Sequence, residues 1–215
     1  MVDRKTKTRR MSLIGMMIAI TAILAFTPLG LIPLPLASAS TLQIPTIIIA
    51  ILEGPLMGGI VGAAMGVITL IRALLAPAGI LDPYFINPII SVLPRILIGV
   101  ASGWCYRGLC KAIKKDSVNF AVSGAVGAMV NTCLVMGLLY VIYLDTLTAQ
   151  FASIGMAETV KAAFLGVVAT SGVAELIASA VLCTVITAAL KRVFYKGRKG
   201  AQTSVKPKIN GEASI

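Results

Sequence analysis

Three polar side chains lie deep inside apolar stretches of this sequence: Arg95, Asn131 and Glu175. A guanidinium is costly in hydrocarbon, so Arg95 has to face protein or a water-filled cavity. Its planar fork is the natural partner of a carboxylate. Asn131 adds an amide that both donates and accepts, and Glu175 adds a pure acceptor when ionised. At about 1.5 Å of rise per helical residue, Arg95 sits roughly 10 Å below the outer start of its helix, and Asn131 and Glu175 lie roughly 20 Å deep. Ser91 stands one turn above Arg95, and Thr132 and Ser171 accompany the other two. Such a set can hold a small polar molecule entering from outside. The same residues also fit a purely structural arrangement, in which Arg95 pairs with Glu175 and Asn131 bridges helices.

The chemistry that is missing narrows the field. The chain has no His, which excludes His-based triads, HExxH zinc sites and imidazole relays. It has no GxxxxGK[ST] phosphate loop, so it cannot hydrolyse ATP by that route. No carboxylate-rich cluster suits Mg²⁺, and no cofactor is expected. Cys105, Cys110, Cys133 and Cys183 form no CxxC pair and read as small buried hydrophobes in a reduced setting.

The elements that would carry these residues are membrane helices. Of 215 residues, 58% are hydrophobic and 13% charged, about half the charged share of a soluble domain. Residues 12–52 and 117–144 carry no charge, and 162–190 carry only Glu175. Each run exceeds the roughly 20 residues that span a bilayer. The net charge of +11 is placed in blocks, with five Lys or Arg before Met11, four from Arg107 to Lys115 and seven from Lys191 onward. Blocks at alternate loops set topology, with attraction to anionic lipid as a secondary effect, and they do not point to nucleic acid. The apolar run after the basic N-terminus resembles a secretory signal but is too long for one, and retention keeps the basic blocks on one side.

This predicts an all-α integral membrane protein of the cell membrane, a six-transmembrane-helix bundle with both termini cytoplasmic. A basic segment 1–10 precedes a membrane domain 11–194, and a basic disordered tail 195–215 follows. The first span is expected over 11–29, ended by Pro28, Gly30, Pro33 and Pro35. The greasy connection 30–40 should fold over the outer mouth of the bundle. A short second span, 41–52, turns at Glu53-Gly54-Pro55 into a third, 56–75, whose Gly58, Gly62 and Gly66 allow close helix approach. Asn87 caps the fourth span, Pro88 opens it, and Pro94 deprives the Ile90 carbonyl of its usual partner, baring it to a ligand or simply kinking the helix. The fifth and sixth spans, 118–144 and 162–190, flank an outer loop, 145–161, in which Glu158 and Lys161 are weak lid candidates. Arg72 and Asp82 flank another outer loop, where a solvated surface role is expected, with a mutual pair as the alternative.

Leu42-Gln-Ile-Pro45, Ile51-Leu-Glu-Gly-Pro55, the three glycines, Asn87-Pro88, Ser91-Val-Leu-Pro-Arg-Ile-Leu-Ile-Gly99, Val130-Asn-Thr132 and Gly172-Val-Ala-Glu175 occur in an order and spacing that resembles the substrate-binding S component of energy-coupling factor (ECF) vitamin transporters. The pantothenate-type subgroup is the most similar. The resemblance implies a vitamin site near the outer face, with Arg95 on the carboxylate of pantothenate, Asn131 on its amide or hydroxyls, and Glu175 taking hydroxyl donors or steadying Arg95. Ser91, Asn87, Thr132 and Gln43 complete the expected substrate-binding set. Gln43 stands where pantothenate-type relatives often have His before Ile-Pro, which leaves riboflavin or folate open as alternatives. The resemblance also implies a membrane coupling subunit, docked on Gly15 and Ala19, and two ATPases that alone use ATP. A self-sufficient secondary carrier is the remaining transport alternative.

Overall fold

The computed structural model describes residues 2–27, 30–33, 38–75, 82–153 and 160–203. Glu158 and residues 204–215 lie outside them, as do the side chains of Asp82, Lys161 and Ser171. The described chain forms six α-helices: α1 (Val2–Phe26), α2 (Gln43–Glu53), α3 (Pro55–Leu75), α4 (Pro88–Ala112), α5 (Asp116–Ser153) and α6 (Val160–Thr203). A short antiparallel pair, β1 (Leu31–Pro33) and β2 (Ser38–Ser40), joins α1 to α2, with Leu31 opposite Ser40.

Five stretches are long and apolar enough to cross a bilayer: Lys7–Phe26, Pro55–Leu75, Pro88–Ala112, Asp116–Leu144 and Gly172–Val193. The expected second span is different. At 11 residues α2 is about 16 Å long, half of a hydrocarbon core of roughly 30 Å. Every residue from Gln43 to Ile51 is buried. A helix apolar all round belongs in an interior, and α2 is the hub on which the other helices pack. Ile47, Ile48 and Ile49 join Leu13, Met17, Val61, Ile98, Phe120 and Cys183 in one core.

The longer helices divide their faces between lipid and bundle. On α6, Val173, Ile177, Val181 and Val185 are exposed at steps of four, whereas Glu175, Ser179, Cys183 and Thr187 are buried at the same step on the opposite side. The exposed stripe suits lipid, and the buried polar stripe has to find partners inside. Cys110 and Cys133 are exposed and Cys105 half-buried, so only Cys183 fits the expected buried role. All four are free thiols. The short side chain of Cys is small enough to sit on either face.

α3 and α4 share the closest packing. A Cβ on Gly58 would lie 2.8 Å from Gly99 O, and one on Gly66 2.7 Å from Val92 Cα. Gly62 faces the Arg95 carbonyl with no room for a Cβ at all. The glycine series therefore brings the Arg95 backbone against α3.

The α2–α3 turn marks one end of the bundle, called here the turn end, and the β1–β2 hairpin marks the other. Gly54 holds φ +105, a region that disfavours side chains, and the Arg107 guanidinium covers its open face. Arg10 forms an ion pair with Glu53 through Nε and also donates from Nη2 to Glu53 O at 2.9 Å. Lys191 meets Asp116 at 2.9 Å. Fold topology thus gathers the three basic blocks at the turn end. α5 kinks at Tyr143 (φ −125, ψ 21) and continues to Ser153, so most of the expected loop 145–161 is helical. α6 likewise runs on to Thr203, into the stretch expected to be a disordered tail. Lys, Arg, Ala and Gln are good helix formers, which lets the helix outlast the membrane.

Candidate functional site

Because α2 is short, its first turn ends inside the bundle, level with the polar residues of α5 and α6. Gln43 starts that turn and is fully buried. Leu42 caps it without a side-chain hydrogen bond, so the positive end of the helix dipole is turned toward the hairpin end.

Glu175 is held from three sides. Its Oε1 accepts the Ser40 N–H at 2.7 Å, and its Oε2 accepts Thr132 Oγ1 at 3.3 Å and Asn131 Nδ2 at 3.5 Å. One carboxylate thereby ties the last residue of the hairpin to α5 and α6. At the ends of the 30–40 connection Thr41 N also donates to Gly30 O at 3.1 Å, and the expected fold-over of its middle, 34–37, lies outside the described residues. One turn along α6, Ser179 Oγ bonds Gln43 Nε2 at 3.0 Å.

Arg95 is only 7% exposed. Its Nη1 donates to Ile90 O at 2.8 Å. Pro94 does free that carbonyl from the helix ladder, but the neighbouring guanidinium takes it, so it is not bared to a ligand. The guanidinium lies over the Phe85 ring, 4.9 Å from its centroid, a cation–π contact from the 3-10 helix Asp82–Ile86. Arg95 and Glu175 lie within electrostatic reach of each other but do not meet as an ion pair among the described residues. The simple structural pair is therefore not formed.

Among the described residues seven buried side-chain atoms lack a partner, and three of them are in this region: Arg95 Nε, Asn131 Oδ1 and Gln43 Oε1. Unsatisfied buried atoms in a native fold call for a reason. Here they comprise one cationic donor and two neutral acceptors, complementary to an anion that also carries hydroxyl or amide hydrogens.

The other expected site residues are placed differently. Ser91 donates to Gly66 O at 3.2 Å and so joins α4 to α3. Asn87 caps α4 as expected, its Oδ1 accepting Ile89 N–H at 3.0 Å while Nδ2 reaches Tyr143 OH at 3.4 Å. Tyr143 in turn packs on Tyr84 with centroids 4.9 Å apart. Asn87 thus braces the α5 kink at the rim. Gly15 and Ala19 lie on the exposed face of α1, and a Cβ on Gly15 would meet nothing within 4 Å. Sequence reasoning missed Phe85, Ser40 and Ser179. A serine one turn from Glu175 on the same face was the available signal for the last.

A helical bundle with apolar stretches long enough to cross a bilayer is an integral membrane protein, and the chain belongs to the family of ECF transporter substrate-specific components, whose model matches residues 9–187. It is accordingly a multi-pass protein of the cell membrane, in a family of transporter binding components rather than enzymes. Among curated proteins it is 28% identical over 168 residues to the Pantothenate transporter PanT of Leuconostoc mesenteroides, covering 76% of this chain and 79% of that protein.

Proposed function

We propose that this chain captures pantothenate from outside the cell for uptake driven by partner subunits. The observation that carries the reading is the buried Arg95 guanidinium with Nε unpartnered, beside a carboxylate already committed to three other donors. An incoming carboxylate supplies the missing counter-charge. Pantothenate brings that group at one end, with an amide N–H and two hydroxyls for Asn131 Oδ1 and Gln43 Oε1. Similarity to a pantothenate transporter supports the same choice. The basic blocks at the turn end favour that end, and both termini, in the cytoplasm, which leaves the hairpin end facing outward.

Calorimetric titration of the purified protein with pantothenate, riboflavin and folate tests the assignment. Saturable heat with pantothenate alone is expected. Tight binding of another vitamin and none of pantothenate removes the substrate assignment.

The chain hydrolyses no ATP in this reading. A membrane coupling subunit and two ATPases supply the energy, with α1 as the docking helix. Gly15 and Ala19 share one exposed face with Ser12, Met16 and Ile23, so they are not used in packing the bundle. Gly15→Leu should leave vitamin affinity within about twofold and abolish co-purification with the coupling subunit, because a side chain there meets only the partner. Unchanged co-purification would take the docking face elsewhere.

A further inference from the structure

We propose that Glu175 is a positioning residue that sets the polarity of the Asn131 amide, making the site demand a hydrogen-bond donor from its ligand. This rests on the reading of the site as the vitamin pocket and adds a rule for what that pocket rejects.

An amide can usually turn over and exchange its donor and acceptor ends. Asn131 cannot. Its neighbour, the Glu175 carboxylate, only accepts hydrogen bonds and repels an amide oxygen. Glu175 cannot swing aside, because Ser40 N–H fixes Oε1 at 2.7 Å and Thr132 fixes Oε2 from α5 at 3.3 Å. Nδ2 must therefore face Oε2, and Oδ1 is left buried without a partner. A ligand hydroxyl or amide N–H satisfies it, and a ligand offering only an acceptor leaves two oxygens facing each other. Sites built around a buried polar atom reject analogues lacking its partner far more strongly than apolar pockets reject a missing methylene.

The carboxylate also predicts its own inversion. In Glu175→Gln, Ser40 N–H still requires an acceptor, so the new amide oxygen takes that position. Its NH₂ then faces Asn131, whose oxygen must turn to meet it. Asn131 Nδ2 is thereby presented to the ligand, and an acceptor becomes the better partner.

The test uses pantothenate and three acceptor-only analogues, one with each hydroxyl oxidised to a carbonyl and one with the amide N–H replaced by an ester oxygen, titrated into the parent, Asn131→Leu and Glu175→Gln. In the parent, at least one analogue should bind about tenfold or more weakly than pantothenate. That ratio should fall to within about twofold in Asn131→Leu and to near or below unity in Glu175→Gln. A parent ratio preserved in Asn131→Leu or in Glu175→Gln overturns the proposal while leaving pantothenate capture standing. A parent that binds no pantothenate removes both. Should Glu175→Gln fail to fold, Asn131→Leu decides alone, since an apolar side chain of similar size replaces an amide whose oxygen had no partner.

Discussion

Arg95→Met should bind pantothenate roughly 30- to 3,000-fold more weakly than the parent while the ligand-free variant unfolds at no lower temperature. Removing one partner of a buried charge pair costs about 2–5 kcal/mol of binding, each 1.4 kcal/mol being a factor of ten. The stability half of the expectation follows from what surrounds the guanidinium before ligand arrives. Its Nε is buried without a partner, and no carboxylate contacts it among the described residues. Apolar residues of similar volume often match or exceed the stability of buried ionic groups. Methionine keeps an apolar stem and discards the charge. Two losses oppose this: the cation–π contact with Phe85 goes, and Ile90 O, already deprived of a helix partner by Pro94, would lose Nη1 as well. Thermal unfolding in detergent and calorimetry report the two halves separately. Parent-like affinity in Arg95→Met would exclude the guanidinium from the site.

The second large effect lies in the backbone behind that arginine. Gly62→Ala should lower stability by about 1–3 kcal/mol, the usual range for overpacking, and weaken pantothenate binding with it. A Cβ at Gly62 meets the carbonyl oxygen and carbon of Arg95 itself, with Ile96 Cα 3.2 Å away. These are main-chain atoms, so no side chain can rotate out of the way and α4 must move as a body. Arg95 moves with it. Gly15→Ala, with nothing within 4 Å, is the natural comparison and should change neither property. If Gly62→Ala melts and binds as the parent does, the α3–α4 interface does not hold the site in register.

How far these features could be read from the chain depends on what each one needs. Arg95, Asn131 and Glu175 stood out because charge and amide groups are rare in apolar runs, and the fold brings Asn131 and Glu175 into contact and Arg95 within electrostatic reach of Glu175. The glycine series announced a close interface through its spacing alone. Pro94 announced a freed carbonyl, but which donor claims it depends on a rotamer, and the adjacent arginine does so. The length of α2 was hidden because apolar residues look the same beside lipid and inside a core. Gln43 was visible as a polar residue, whereas its partner Ser179 was one serine among many in a helix where serine is unremarkable. Phe85 could not be assigned, since only the 3-10 turn before α4 places its ring against the guanidinium. The exposed thiols of Cys110 and Cys133 correct a reading drawn from average burial, which says little about a protein whose outside is also apolar.

The half-length of α2 has an electrical side. In the proposed orientation, with the turn end in the cytoplasm and α2 reaching only half-way, a carboxylate held at Arg95, roughly 10 Å along α4, has travelled part of the way through the membrane's voltage drop. A full crossing by one elementary charge is worth about 2.3 kcal/mol per 100 mV, so a charge stopped about a third of the way feels roughly a third of that. A cell interior held negative therefore pushes back against capture, and an energised membrane should hold its vitamin more loosely than a depolarised one.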